Sequence, residues 1–293
     1  MRIRIAAAVA AAAAVAASFT APATASSDPS APTPFAPRGG AAHAGLISVG
    51  LTADQQLVGF SVAEPGDTWS FGRVKGLTGD TELVGIDFRV QNGKLYGVGD
   101  QGGVYTLDNR ARAVKVSRLT VALDGTRFGV DFNPAANRLR VISDTGQNLR
   151  HNIDDPATPL TTTVDGTLTV PGTPPTTALG VTGAGYTNND LNAATSTTLF
   201  DIDTLNDRVV LQSPANSGTL AATGALGVDA GPSAGFDVYY RASDGSNHGF
   251  AALSTGGRQR FYRVNILDGE TTFAGTFPAG HQVVDVALPL DQR

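Results

Sequence analysis

One unit is written twice between Leu83 and Asp154, and this repeat restricts the fold more than any composition figure does. The first copy runs Leu83-Val84-Gly85-Ile86-Asp87-Phe88, then Lys94-Leu95-Tyr96-Gly97-Val98-Gly99-Asp100. The second runs Arg127-Phe128-Gly129-Val130-Asp131-Phe132, then Arg138-Leu139-Arg140-Val141-Ile142-Ser143-Asp144. Each copy continues into a third alternating run, Val104 to Asp108 and Asn148 to Asp154. Apolar residues alternating over short runs between turn residues mark strands, and the Asn92-Gly93 pair marks a hairpin. The spacing from one first strand to the next (Asp87, Asp131, Thr182, Asp237, Asp285) is 44 to 55 residues, a period that suits propeller blades.

The rest of the chain fits that unit. Strands are expected at Leu46–Val49, Gln56–Val62 and Thr68–Val74, giving a unit that lacks its first strand. A fourth unit starts at Leu179–Thr182 with its second strand at Ala184–Thr187, and a fifth starts at Gly235–Val238. One first strand, Gln282–Leu288, is left over at the end. Pairing it with the three N-terminal strands gives an all-β propeller of five four-stranded blades and removes both open edges. A sixth blade hidden between Gln212 and Ala234 is the alternative. The third unit is expected to end in an outer strand near Thr167–Val170.

Before the repeats, Arg2 and Arg4 precede an apolar run from Ile5 to Ala17 and a small-residue site, Ala23-Thr24-Ala25. That pattern predicts a signal peptide over 1–25 and a secreted protein. Residues 26–42 read as a disordered Pro-rich leader whose removal changes little, and 43–293 as a single domain. The 293-residue chain carries a net charge of −5, more negative once Arg2 and Arg4 are removed. With no basic block it suits neither nucleic acid nor anionic lipid, and no membrane insertion is expected. It has no cysteine, which excludes disulfides, thiol catalysis and zinc–thiolate sites. A monomer is expected.

The run from Gly129 through Asn133-Pro134 and Arg138 to Arg150 resembles the signature of secreted bacterial proteins catalogued as domain of unknown function 4394. Gly185-Tyr186-Thr187-Asn188-Asn189, Leu199–Asp203 and Gly224–Asp229 resemble its other landmarks, and the likeness covers about Ala44 to Pro278. It implies an exported propeller-like domain and transfers no catalytic residue.

Two groups of residues stand out as candidate sites. Asp87, Asp131, Asp237 and Asp285 occupy matching first-strand positions, which line a propeller's channel. Four carboxylates there could hold a calcium ion, or each could bind amides of a neighbouring blade. The second group is Asp144, Gln147, Asn148 and Arg150, with Ser143 beside them and Asp100 at the matching place one unit earlier. These could meet a polar ligand at the channel mouth, or they could cap turns. Gly231-Pro232-Ser233-Ala234-Gly235 matches Gly-x-Ser-x-Gly by letters, but a strand follows it where a nucleophile elbow needs a helix. The four histidines form no pair at metal-ligand spacing.

A binding module for a small polar ligand or a cell-envelope component is therefore the expected function. A calcium-dependent hydrolase resembling a lactonase and a structural envelope protein are the alternatives. No cofactor other than calcium is expected.

Overall fold

In the computed structural model, the residues described are 35, 45–192 and 194–292. The expected signal peptide lies outside them, as does all of the expected leader except Phe35.

The described residues form five four-stranded antiparallel sheets and one small two-stranded hairpin. Blade 1 combines Ile47–Thr52, Gln56–Ser61 and Glu64–Arg73 with the C-terminal strand Val283–Ala287, which pairs antiparallel with Ile47–Thr52. Blade 2 runs outward from Leu83–Arg89 to Ala113–Arg118, and blade 3 from Phe128–Asn133 to Thr162–Val164. Blade 4 runs from Val181–Tyr186 to Leu220–Ala225, and blade 5 from Ala234–Arg241 to Thr271–Thr276. The stretch from Gln212 to Ala234 holds the outer strand of blade 4 and no further sheet. The blade count is five.

Packing explains why both faces of these strands are apolar. The described residues form five hydrophobic clusters, and each lies between two neighbouring blades. In blade 2, Leu95 packs toward blade 1, whereas the next residue, Tyr96, and Val98 pack toward blade 3. Successive side chains of a strand point to opposite faces, so a blade buried on both sides needs apolar groups in both registers. The closing contact between blades 5 and 1 is the most aromatic. Phe60 meets Phe261 and Phe277 edge to face at centroid separations of 5.0 Å each, with Val283 and Val286 in the same cluster.

Two strand assignments differ from the sequence expectation. Blade 4 begins with a single inner strand, Val181–Tyr186, where two short strands were expected. The glycines within this strand are packing requirements. A Cβ on Gly185 would lie 2.9 Å from the Phe236 ring, and one on Gly183 would lie 2.9 Å from the Phe236 Cβ. The outer strand of blade 3 is Thr162–Val164, whereas Thr169–Val170 pairs with Thr176–Thr177 in the separate hairpin.

Phe35 is buried among Phe71, Phe88 and their neighbours between blades 1 and 2, and its carbonyl accepts a hydrogen bond from Trp69 Nε1 at 3.3 Å.

Candidate functional site: the channel and its mouth

The inner strands place their aspartates so that each carboxylate reaches the next blade. Asp285 Oδ2 accepts the Ile86 amide at 2.7 Å, and Asp87 Oδ2 accepts the Phe132 amide at 2.8 Å. Asp131 Oδ1 accepts from Tyr186 at 3.2 Å, and Asp237 Oδ2 accepts from Leu288 at 2.6 Å. Blades 1 to 2, 2 to 3, 3 to 4 and 5 to 1 are thereby linked. Between blades 4 and 5, Asn189 Nδ2 donates instead to the Val238 carbonyl at 3.0 Å. A buried amide without a partner costs about 1–3 kcal/mol, which gives the recurrence of aspartate a structural cause.

Register work does not use every oxygen. Asp87, Asp131 and Asp237 each offer a carboxylate oxygen, and the three lie within 4.8 Å of one another. Asp131 Oδ2 and Asp237 Oδ1 are buried and have no hydrogen-bond partner. Among the described residues, no Lys or Arg side chain pairs with any of the three. Burial, followed by the Asp237 charge, pushes the Asp87 carboxyl well above the usual carboxylate range. Burial and the Asp87 charge do the same to Asp131, and burial raises Asp237 to about 6. Two full charges about 4 Å apart repel by roughly 4 kcal/mol at an effective dielectric constant of 20, so three bare carboxylates would strain this core.

Asp285 stands outside this group. A Cβ on Gly85 would lie 3.2 Å from Asp285 Oδ2, and one on Gly235 would run into the Asp285 Cα. Asp285 therefore sits level with residues two positions before Asp87 and Asp237. Its sequence position matches the others, but its strand is displaced along the channel axis.

Toward the strand starts, a recess of about 400 Å³ collects residues from all five blades, among them Val284, Val84, Arg127, Thr182, Ser233 and Gln259. Thr182 is buried, and neither its Oγ1 nor Gln259 Oε1 has a partner in the protein. Glu82 and Arg127 are the charged residues of the lining. A larger recess of about 700 Å³ lies between blades 4 and 5, bordered by Asn188, Asn247, His248, Arg263 and Glu270.

The polar residues expected at the mouth stand behind it. Asp100 accepts the Thr81 amide at 2.7 Å and the Glu82 amide at 3.3 Å. Asp144 accepts the Thr126 amide at 2.8 Å, so the two aspartates do the same work in successive blades. Each fixes a residue of the recess wall, Glu82 or Thr126. Gln147 bonds the Asp124 amide and the Ala122 carbonyl. Asn148 and Arg150 turn to the blade 3–4 contact, where Arg150 pairs with Asp165 at 3.1 Å and Asn148 bonds Arg140 at 2.7 Å. Sequence reading missed Thr182, Gln259, Glu82 and Arg127 as wall residues. Only their nearness to first-strand starts or blade turns pointed to them.

Arg140 is the hub of that contact. Its guanidinium reaches Tyr186 Oη, Asn148 Oδ1, Asp165 Oδ2 and Asn216 Oδ1 at 2.6–3.2 Å. Asp201, in the second strand of blade 4, is fully buried with both carboxylate oxygens unpartnered, and burial raises its carboxyl well above the usual range.

Five four-stranded sheets whose inner strands bring buried aspartates together define a β-propeller. The family described as domain of unknown function (DUF4394) matches residues 56–287, and the chain belongs to it. No curated protein matches the chain. Among solved structures, an auxiliary nutrient binding protein from Bacteroides ovatus ATCC 8483 aligns at 12% identity and TM-score 0.42, covering 69% of this chain and 55% of that one. A nidogen/laminin complex structure aligns at 10% identity and TM-score 0.46, covering 84% and 86%. A structural genomics protein of unknown function from Bacteroides thetaiotaomicron VPI-5482 aligns at 12% identity and TM-score 0.47, covering 84% and 65%. The chain thus spans little more than half of the first of these. Among the described residues, no helix is long and apolar enough to cross a membrane.

Proposed function

We propose that this propeller is an exported binding module that takes a small polar ligand in the recess at the channel mouth. The observation that carries this reading is that the recess gathers charged and polar residues of four blades, Glu82, Arg127, Thr182, Ser233 and Gln259, into one concave wall. A concave wall with a few convergent polar groups is the usual form of a small-molecule site. The neighbouring Glu82 and Arg127 favour a ligand with several hydroxyls or with both signs of charge. A volume near 400 Å³ suits a molecule the size of a monosaccharide or an amino acid. The N-terminal pattern of Arg2, Arg4 and the apolar run supports export. The burial of the three clustered aspartates supports binding over calcium-dependent hydrolysis, which needs a metal open to substrate.

A panel of monosaccharides and amino acids, screened by ligand-observed NMR, tests the reading. A ligand that binds the native protein should bind Arg127→Ala at least tenfold more weakly, since the variant loses an exposed guanidinium of a wall residue. Equal binding by both proteins would move the site away from the recess.

A further inference from the structure

We infer that Asp87, Asp131 and Asp237 together hold one hard divalent cation of the calcium class, which ties blades 2, 3 and 5 together inside the channel. Three separate sheets bring these carboxylates to one point, with oxygens within 4.8 Å of one another. Calcium binds oxygen at about 2.3–2.6 Å, so it can bridge oxygens up to roughly 5 Å apart, whereas magnesium demands a tighter cage. The chain has no cysteine and no histidine belongs to the cluster, which leaves oxygen donors only and excludes a zinc-type site.

A second observation points the same way. Asp131 and Asp237 are 1% and 2% exposed, and each keeps one buried oxygen that nothing in the protein satisfies. Their other oxygens are fixed by the Tyr186 and Leu288 amides, so the free ones are held in place and cannot swing to water. Asp87 differs, because both of its oxygens already accept amides, from Phe88 and Phe132. A carboxylate oxygen has lone pairs for an amide and a cation at once. The cation is independent of whatever fills the mouth recess, and its test does not depend on finding that ligand.

The experiment uses the intact protein purified without chelator. Elemental analysis should find about one calcium per chain. Dialysis against EGTA should remove it and lower Tm by about 5–10 °C, and calcium chloride should restore Tm more fully than magnesium chloride. The double variant Asp131→Asn/Asp237→Asn keeps the amide-accepting oxygens and should neither retain calcium nor respond to it. In EGTA it should melt at or above the native protein, because the repulsion is gone. A native protein that carries no divalent metal and whose Tm ignores calcium would overturn the site and leave protons shared among the carboxylates. Should the variant fail to fold, the native measurements decide alone.

Discussion

Asp285 and Gly85 face each other across the contact between blades 1 and 2, with Asp285 Oδ2 on the Ile86 amide and only 3.2 Å from where a side chain at position 85 would begin. A methyl group there would also lie 2.5 Å from Val130 Cγ2. Gly85→Ala should therefore cost about 1–3 kcal/mol, the usual range for overpacking a filled core. Gly235→Ala should cost more, because its Cβ would meet the Asp285 backbone, which cannot turn aside. Gly93→Ala meets nothing within 4 Å and has φ +64°, so about 1 kcal/mol is expected. Urea denaturation of the three variants checks the ranking.

Asp201 should make the protein less stable as the pH rises. Its carboxyl holds its proton in the folded state to a higher pH than in the unfolded chain. The penalty is absent below the unfolded value near 3.9, grows as pH climbs toward the raised folded value, and is constant above it. Asp201→Asn removes the charge while keeping the shape. The variant should melt above the native protein at pH 8, and the two should converge toward pH 4. A variant that melts lower at pH 8 would show that the Asp201 charge is compensated, with Arg140 the cation whose charge acts on it.

Arg140 should be irreplaceable at the blade 3–4 contact. Only a planar fork reaches Tyr186, Asn148, Asp165 and Asn216 together. Arg140→Met leaves Asp165, 4% exposed, with Arg150 alone, and the expected loss is about 3–5 kcal/mol. Arg140→Lys should recover only part of it. Thermal melts followed by circular dichroism provide the comparison.

Phe35 should carry stability that a Pro-rich leader is not expected to supply. Its ring packs edge to face on Phe71 and Phe88 at 5.3 and 5.5 Å. Phe35→Ala should cost about 3 kcal/mol, and deletion of residues 26–41 should cost a similar amount. Trp69 is the only tryptophan in the chain, so its fluorescence reports the site directly and should shift to longer wavelength in both proteins.

The blade period was readable because Asp87, Asp131, Asp237 and Asp285 each answer the same local need, an amide presented by the neighbouring blade. Needs of that kind repeat with the fold and so appear as spacing. The offset of Asp285 from the other three was not readable, because it depends on how far one sheet slides against the next. The Thr162–Val164 strand escaped for a different reason. It is an outer strand that buries little, so no alternation marks it. The inner strand of blade 4 was expected as two pieces, Leu179–Thr182 and Ala184–Thr187, whereas its Gly183 and Gly185 answer to Phe236 on another blade, a need that local spacing does not carry. Asp100 and Asp144 were found as a matched pair, but their amide partners, which precede each first strand, decide that they brace the wall of the recess.

The strand that completes the first sheet is made after all the other strands described. Ile47–Thr52 keeps an unpaired edge until Val283–Ala287 has been synthesised, and Ile47 finds Gln292 across 245 residues of chain. Contacts that distant slow folding, and an open edge invites pairing with other chains. The vulnerable moment in this protein's life is therefore the interval before Val283–Ala287 emerges, when four blades can be built and the fifth must wait.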